Sequence, residues 1–171
     1  MNHSNAQPPY ALLSRDFGTN SAASGYAAVD AGRRAVVALA GRSHIGADEL
    51  RQLRQGGVGT ASLSRDEADA LCMVERCATP KSVEWDDFFI EAITGHCVWD
   101  LRPTGIVNET QGEWLIAMAD VARTPNAFAV LVNVLTVAQR VPMWFNAAVK
   151  ARAARGWPGA EAARALVERY G

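Results

Sequence analysis

Apolar and polar residues follow one another along most of this chain with the period of an α-helix. Residues 64–78 are one example, because apolar residues recur there every three or four positions. Ser64 and Glu67 precede them with the three-residue spacing of a capping box, and Asn108 and Gln111 repeat that spacing further on. These patterns predict helices that begin just after Ser64 and Asn108.

The segment 83–101 is the strongest predicted helix, and it is apolar around most of its circumference. A helix of this kind belongs at the centre of a fold. Thr124 and Pro125 form a helix start before a second apolar segment. Further helices are predicted at 33–41, 46–55, 125–140, 142–155 and 158–170. With no strand pattern in the chain, we predict an all-α fold, a compact multi-helix domain with paired helix-loop-helix units around the central helix.

The chain divides into a predicted tail and a predicted domain. Residues 1–32 are rich in Asn, Ser, Ala and Gly, which is typical of a flexible segment. Residues 33–171 are long enough for one helical domain with a substantial core, since 49% of the 171 residues are hydrophobic.

Charge and cysteine content limit the classes of partner and the cellular location that we expect. The chain has 17 basic and 18 acidic residues, so nothing draws it as a whole to nucleic acid or to an anionic membrane. Its 3 cysteines are few and odd in number, which favours reduced thiols and a cytoplasmic location. We recognise no signal peptide, and the apolar stretch 127–139 is too short for a membrane span.

A short pattern recurs three times within the helical part. Ile45, Leu63 and Val107 each precede a small or capping residue, and a leucine follows that residue by seven positions. Two interpretations remain open. The pattern is either an internal repeat or the ordinary consequence of capped amphipathic helices.

Residues 100–111, "DLRPTGIVNETQ", resemble a degenerate EF-hand loop. Asp100 stands first, Gly105 sixth and the apolar Val107 eighth. The resemblance implies a backbone bridge from Val107 to an equivalent loop with Leu63 in its eighth place. The ligands that it implies for an ion are oxygens of Asp100, Thr104, Ile106 (the main-chain carbonyl) and Asn108. A looser similarity to tellurite-resistance TerB-like helical domains carries no matching motif.

The charge of this loop argues against a calcium site. Arg102 occupies the third position, where an anion is needed, and Gln111 replaces the bidentate glutamate at the twelfth. We therefore expect a turn that keeps the loop geometry without the ion. Weak binding of calcium or magnesium is the alternative.

Two further features carry candidate chemistry. His96 lies on the central helix, where we prefer a histidine hydrogen-bonded within the core; an enzyme using His96 would need an acidic or nucleophilic partner and an open pocket. Trp144, Phe145 and Trp157 flank loops in a locally basic region, which suggests a surface for a protein partner or self-association more than for RNA.

No assembled catalytic or metal-binding pattern emerges from these residues, and we expect no cofactor. The preferred interpretation is a non-enzymatic protein-interaction or scaffold module.

Overall fold

This computed structural model describes residues 34, 36–39, 42, 44–58, 62–78 and 80–160. Residues 34 and 36–39 are helical, within the predicted helix 33–41, and six further α-helices have defined bounds. They are α1 (Ala47–Gln55), α2 (Arg65–Cys77), α3 (Val83–Gly95), α4 (Glu109–Ala122), α5 (Pro125–Val137) and α6 (Met143–Ala154). A π-helical turn, His96–Asp100, continues α3. The predicted all-α fold is confirmed. The predicted tail, 1–32, and most of the last predicted helix, 161–170, lie outside the described residues.

α2 and α4 begin directly after Ser64 and Asn108, the capping residues that the sequence pattern identifies. The Ser64 side chain accepts a hydrogen bond from the Glu67 N–H, and Glu67 Oε2 accepts one from the Ser64 N–H at 2.8 Å. Asn108 and Gln111 form the same reciprocal pair before α4. Each cap satisfies main-chain donors that have no partner within the helix, and a side-chain cap stabilises a protein by about 1 kcal/mol.

α3 is the central helix, as its apolar circumference predicted. Trp85, Phe89 and Ile93 are fully buried, and the Trp85 and Phe89 rings stack with centroids 6.1 Å apart. The helix packs most extensively on α5, where Phe128 and Leu131 are also fully buried. α5 ends at Val137, earlier than the predicted residue 140, because Ala138 adopts an extended conformation.

The described residues contain no strand, but two isolated parallel bridges join the segments that precede helices. Ile45, before α1, is bridged to Lys81, before α3. Ile106, before α4, is bridged to Arg140, before α6. The same order therefore occurs twice, over 45–95 and over 106–154. Each time a bridge residue is followed by two helices, by the second bridge residue and by a third helix.

The apolar helix α5 lies inside this arrangement. Its one polar residue near the middle, Asn133, donates a hydrogen bond to Thr94 Oγ1 on α3 at 3.1 Å. This contact agrees with the interpretation of 127–139 as a buried helix. No helix in the described part of the chain combines the length and apolar character needed to cross a bilayer.

Candidate functional site

Main-chain and side-chain hydrogen bonds attach the loop that follows α3 and its π-helical turn to other parts of the fold. Asp100 Oδ2 accepts a bond from the Leu63 N–H at 2.9 Å. The Gly105 N–H donates to the Val98 carbonyl at 2.6 Å. Val107 N–H donates to the Arg140 carbonyl at 2.9 Å. Both ends of the loop are therefore fixed to other elements of the fold.

Gly105 has the conformation that this turn requires. Its φ of +79° lies in the left-handed region, which favours glycine. A Cβ there would also lie 3.0 Å from Cδ of Gln139. The positive φ is the reason why glycine is favoured here, since the Gln139 side chain could move to admit a Cβ. The sharp turn that the sequence indicated is present.

The oxygen atoms proposed as ion ligands already have structural partners or lie apart from one another. Asp100 accepts the Leu63 N–H, and Asn108 Oδ1 accepts the Gln111 N–H at 2.9 Å as a helix cap. Thr104 is exposed, whereas Ile106 is half-buried in the bridge with Arg140. Among the described residues, no group of three or more His, Cys, Asp or Glu side chains could hold a metal.

The bridge implied by the EF-hand resemblance is formed with a different partner. Leu63, the expected partner of Val107, uses its N–H for Asp100 and its carbonyl for His96. Because both of these main-chain groups are engaged by side chains, the backbone of the loop pairs instead with Arg140. Leu63 and the loop are neighbours, but the contact between them is made through side chains.

His96 is a buried histidine with a structural hydrogen bond. It is 3% exposed, and its Nδ1 lies 2.7 Å from the Leu63 carbonyl oxygen. Its ring meets the Trp114 ring edge-on at a centroid distance of 5.9 Å. Within the described part of the chain, the His96 side chain is therefore almost completely enclosed.

Two of the three aromatic residues proposed as an interaction surface are buried. Phe145 is fully buried, and Trp157 is 7% exposed between the guanidinium groups of Arg123 and Arg152. Trp144 is half-buried and its indole N–H donates to Glu109. Phe145, on α6, and Trp157, after the end of that helix, both belong to the core, and their proximity to loops in the sequence did not reveal this burial.

Trp99 and Leu101 are the exposed apolar pair that sequence reasoning missed. Trp99 is 48% exposed and Leu101 is 36% exposed, and both lie at the start of the loop held by Asp100. The sequence predicts a helix over 83–101 that is apolar around most of its circumference. In the structure α3 ends at Gly95, and the π-helical turn that continues it leaves Trp99 exposed.

A second polar cluster, also missed, lies in the core between α2, α3 and α5. Glu75 is fully buried; its Oε2 accepts a bond from Trp85 Nε1 at 2.7 Å and lies 3.0 Å from the Lys81 Nζ. Asn126 donates to Glu75 at 3.5 Å and to Asp86 at 2.6 Å. Glu75 Oε1 has no partner among the described residues. The cluster joins three helices through one buried carboxylate.

A cleft of about 520 Å³ separates α1 from the start of α3. Arg51 and Arg54 line one wall, and Glu84 and Asp87 line the other. All four side chains are exposed, and Arg51 is already paired with Asp48 at 2.7 Å. A main-chain hydrogen bond, followed by the Ser82 hydroxyl, lowers the pKa of Glu84. The cleft is a solvated space between charged helix surfaces.

The three cysteines are free thiols in different environments. Burial is the main cause that raises the pKa of Cys97 to about 12, and burial also raises the pKa of Cys72 well above its usual range. Cys77 is exposed. Neither of the buried thiols is therefore an activated nucleophile at neutral pH.

In comparisons with protein-family models, curated proteins and solved structures, nothing matches this chain.

Proposed function

We propose that this chain is a cytoplasmic protein-interaction module whose contact surface is the 99–104 loop. The observation that carries the proposal is the position of Trp99, which is 48% exposed and, among the described residues, forms no side-chain hydrogen bond or ring contact. The cytoplasmic location in this proposal rests on the low and odd number of cysteines in the sequence.

The other four tryptophans differ from Trp99 because each has a structural contact. The indole N–H groups of Trp85, Trp114 and Trp144 donate to the carboxylates of Glu75, Asp69 and Glu109, respectively. Trp157 lies between two arginine side chains. Trp99 is therefore the one tryptophan whose aromatic surface is left for an external contact.

The composition of the exposed loop suits a binding hot spot. Tryptophan and arginine are enriched among residues that dominate binding energy, and Trp99 and Leu101 lie beside the exposed Arg102. Other exposed apolar side chains, such as Val121 at 61%, are isolated aliphatic residues. Single residues of that kind are ordinary on a protein surface.

The attachment of the loop also favours binding. Asp100 is fixed to Leu63, and Gly105 is fixed to Val98, so the exposed side chains stand on a backbone that is ordered before any partner arrives. A preordered surface loses less conformational entropy on association than a flexible one. This lowers the contact area that a useful affinity requires.

The test is affinity capture from cell extract with three forms of the full chain. Trp99→Ala should lose the proteins captured by the natural chain, whereas the matched control Val121→Ala should retain them. Both variants should unfold at nearly the natural temperature, since neither side chain belongs to the core. Sedimentation velocity on the same samples detects self-association. A capture profile and an oligomeric state that are unchanged by Trp99→Ala would overturn the proposal.

A further inference from the structure

The chemistry of the partner follows from the charges around the 99–104 loop, and this inference rests on the proposed function. Arg102 and Arg140 are exposed, and the Arg140 backbone is bonded to Gly105 and Val107 at the base of the loop. Neither guanidinium forms an ion pair or hydrogen bond within the described part of the chain. Two unpaired cations therefore belong to the loop that carries Trp99 and Leu101 and to the segment bridged to its base.

The carboxylates that flank the loop in sequence are already engaged. Asp100 is half-buried and accepts the Leu63 N–H, and Glu109 accepts the Trp144 indole N–H. Both carboxylates keep their negative charge, but their oxygens already accept hydrogen bonds within the fold. The side chains of this loop and its base that are free to pair with a partner are therefore the two arginines, although the whole chain has a net charge of -1.

We infer that the partner of this surface is a peptide segment that carries an apolar residue flanked by carboxylates. The apolar residue would pack on Trp99 and Leu101, and the carboxylates would pair with Arg102 and Arg140. Arginine suits this task because its planar guanidinium binds a carboxylate through two parallel hydrogen bonds.

A protein segment fits this surface better than a lipid surface or a nucleic acid. Stable attachment to an anionic membrane draws on a larger apolar face together with several basic residues. Binding of DNA typically requires many phosphate contacts, since each contributes only part of the affinity. One tryptophan, one leucine and two arginines match the size of a short peptide contact.

A random peptide library displayed on phage, selected against the full chain, tests the inference. We expect enriched peptides to contain Asp or Glu beside an apolar residue, and their binding to weaken as salt rises. Trp99→Ala should reduce the affinity by roughly thirtyfold or more, as for a hot-spot residue. The double variant Arg102→Gln/Arg140→Gln should reduce it by roughly three- to tenfold, the range of two exposed ion pairs.

Arg76→Gln and Arg155→Gln are the matched controls, because both arginines are exposed and unpaired within the described residues but lie on other helices or helix ends. They should leave peptide binding unchanged. Enriched peptides that depend on Trp99 but lack carboxylates would overturn this inference and leave the proposed function standing. If no peptide depends on Trp99, both fall. Sedimentation with phosphatidylglycerol vesicles that requires Trp99 and Arg102 would also overturn the choice of a peptide.

Discussion

Glu75 places a carboxylate in the core, and its neighbours explain how the fold accommodates it. Lys81 contributes the opposite charge at 3.0 Å, and Trp85 contributes an indole N–H at 2.7 Å. The Lys81 side chain is itself only 12% exposed. Removal of one partner from a buried pair leaves a charge without compensation, which costs far more than the intact pair contributes.

Lys81→Met should therefore destabilise the protein by about 3–5 kcal/mol, measured by urea unfolding. The double variant Lys81→Met/Glu75→Gln should recover part of this loss, since the amide oxygen of glutamine can still accept the Trp85 N–H. A Lys81→Met protein with natural stability would contradict the assignment of Lys81 as the partner of Glu75.

The cysteine environments predict selective labelling. Burial raises the pKa values of Cys72 and Cys97, so both thiols stay protonated at pH 8, while Cys77 is exposed. A thiol-reactive chromophore should thus modify one cysteine in the folded protein and three after denaturation. Cys77→Ser should abolish the reaction of the folded protein, and rapid reaction of the remaining thiols would contradict their burial.

The raised pKa values of Cys72 and Cys97 make the free energy of unfolding depend on pH. Unfolded cysteines ionise near pH 8.5, whereas the folded Cys72 and Cys97 remain neutral at that pH. The stability that depends on these thiols is complete below about pH 8.5 and is lost as the pH rises toward their folded pKa values. We expect the free energy of unfolding to fall between about pH 9 and 11, and a smaller fall in the Cys72→Ala variant, measured by urea unfolding. Equal slopes would contradict this origin.

The start of a single helix can be predicted from a short local pattern, because a capping residue acts over only three positions. Asn108→Ala should cost about 1 kcal/mol, since α4 would lose the side chain that accepts the Gln111 N–H. Asn108→Asp should retain the cap, and Thr110→Ala is a control on the exposed first turn. Thermal unfolding of the three variants decides this, and equal stability of Asn108→Ala and the natural chain would refute a stabilising cap.

The connections between helices could not be predicted in the same way. The Ile106–Arg140 bridge and the Glu75–Asn126 contact join residues far apart in sequence, and neither has a local pattern that identifies its partner. The π-helical turn was also missed. It continues the apolar pattern of α3, and the hydrogen bonds by which Asp100 and His96 attach it to Leu63 join residues more than 30 positions apart.

At the scale of the whole molecule, the chain contains two three-helix units, each with one bridge. The recurring pattern of an apolar residue before a small or capping residue detected one bridge residue of these units, Ile45. Ile45 and Ile106 occupy corresponding places, each bridged to a residue just before the third helix of its unit. The sequence pattern included Ile45 but selected Leu63 and Val107 as its equivalents, because an apolar residue before a cap occurs at both. Helix order and fold class were therefore predictable, but the long-range pairing of the units was not.

The arrangement of the 100–111 loop predicts that this loop does not bind divalent cations. Calorimetric titration with millimolar calcium or magnesium should give no saturable heat, since Asp100 and Asn108 serve Leu63 and Gln111. Asp100→Asn is the control. A saturable heat in the natural chain that disappears in this variant would revive the ion-binding alternative.

Because the five tryptophans differ in exposure, the intrinsic fluorescence of the protein can report binding at the 99–104 loop. Trp85 and Trp157 are buried, Trp114 and Trp144 are half-buried, and only Trp99 is exposed. A soluble quencher such as acrylamide should therefore reach Trp99 before the others, and the quenched component should be missing in Trp99→Phe. Any molecule that covers the 99–104 loop should protect this fluorescence, so occupancy of the surface can be followed in solution without an attached dye.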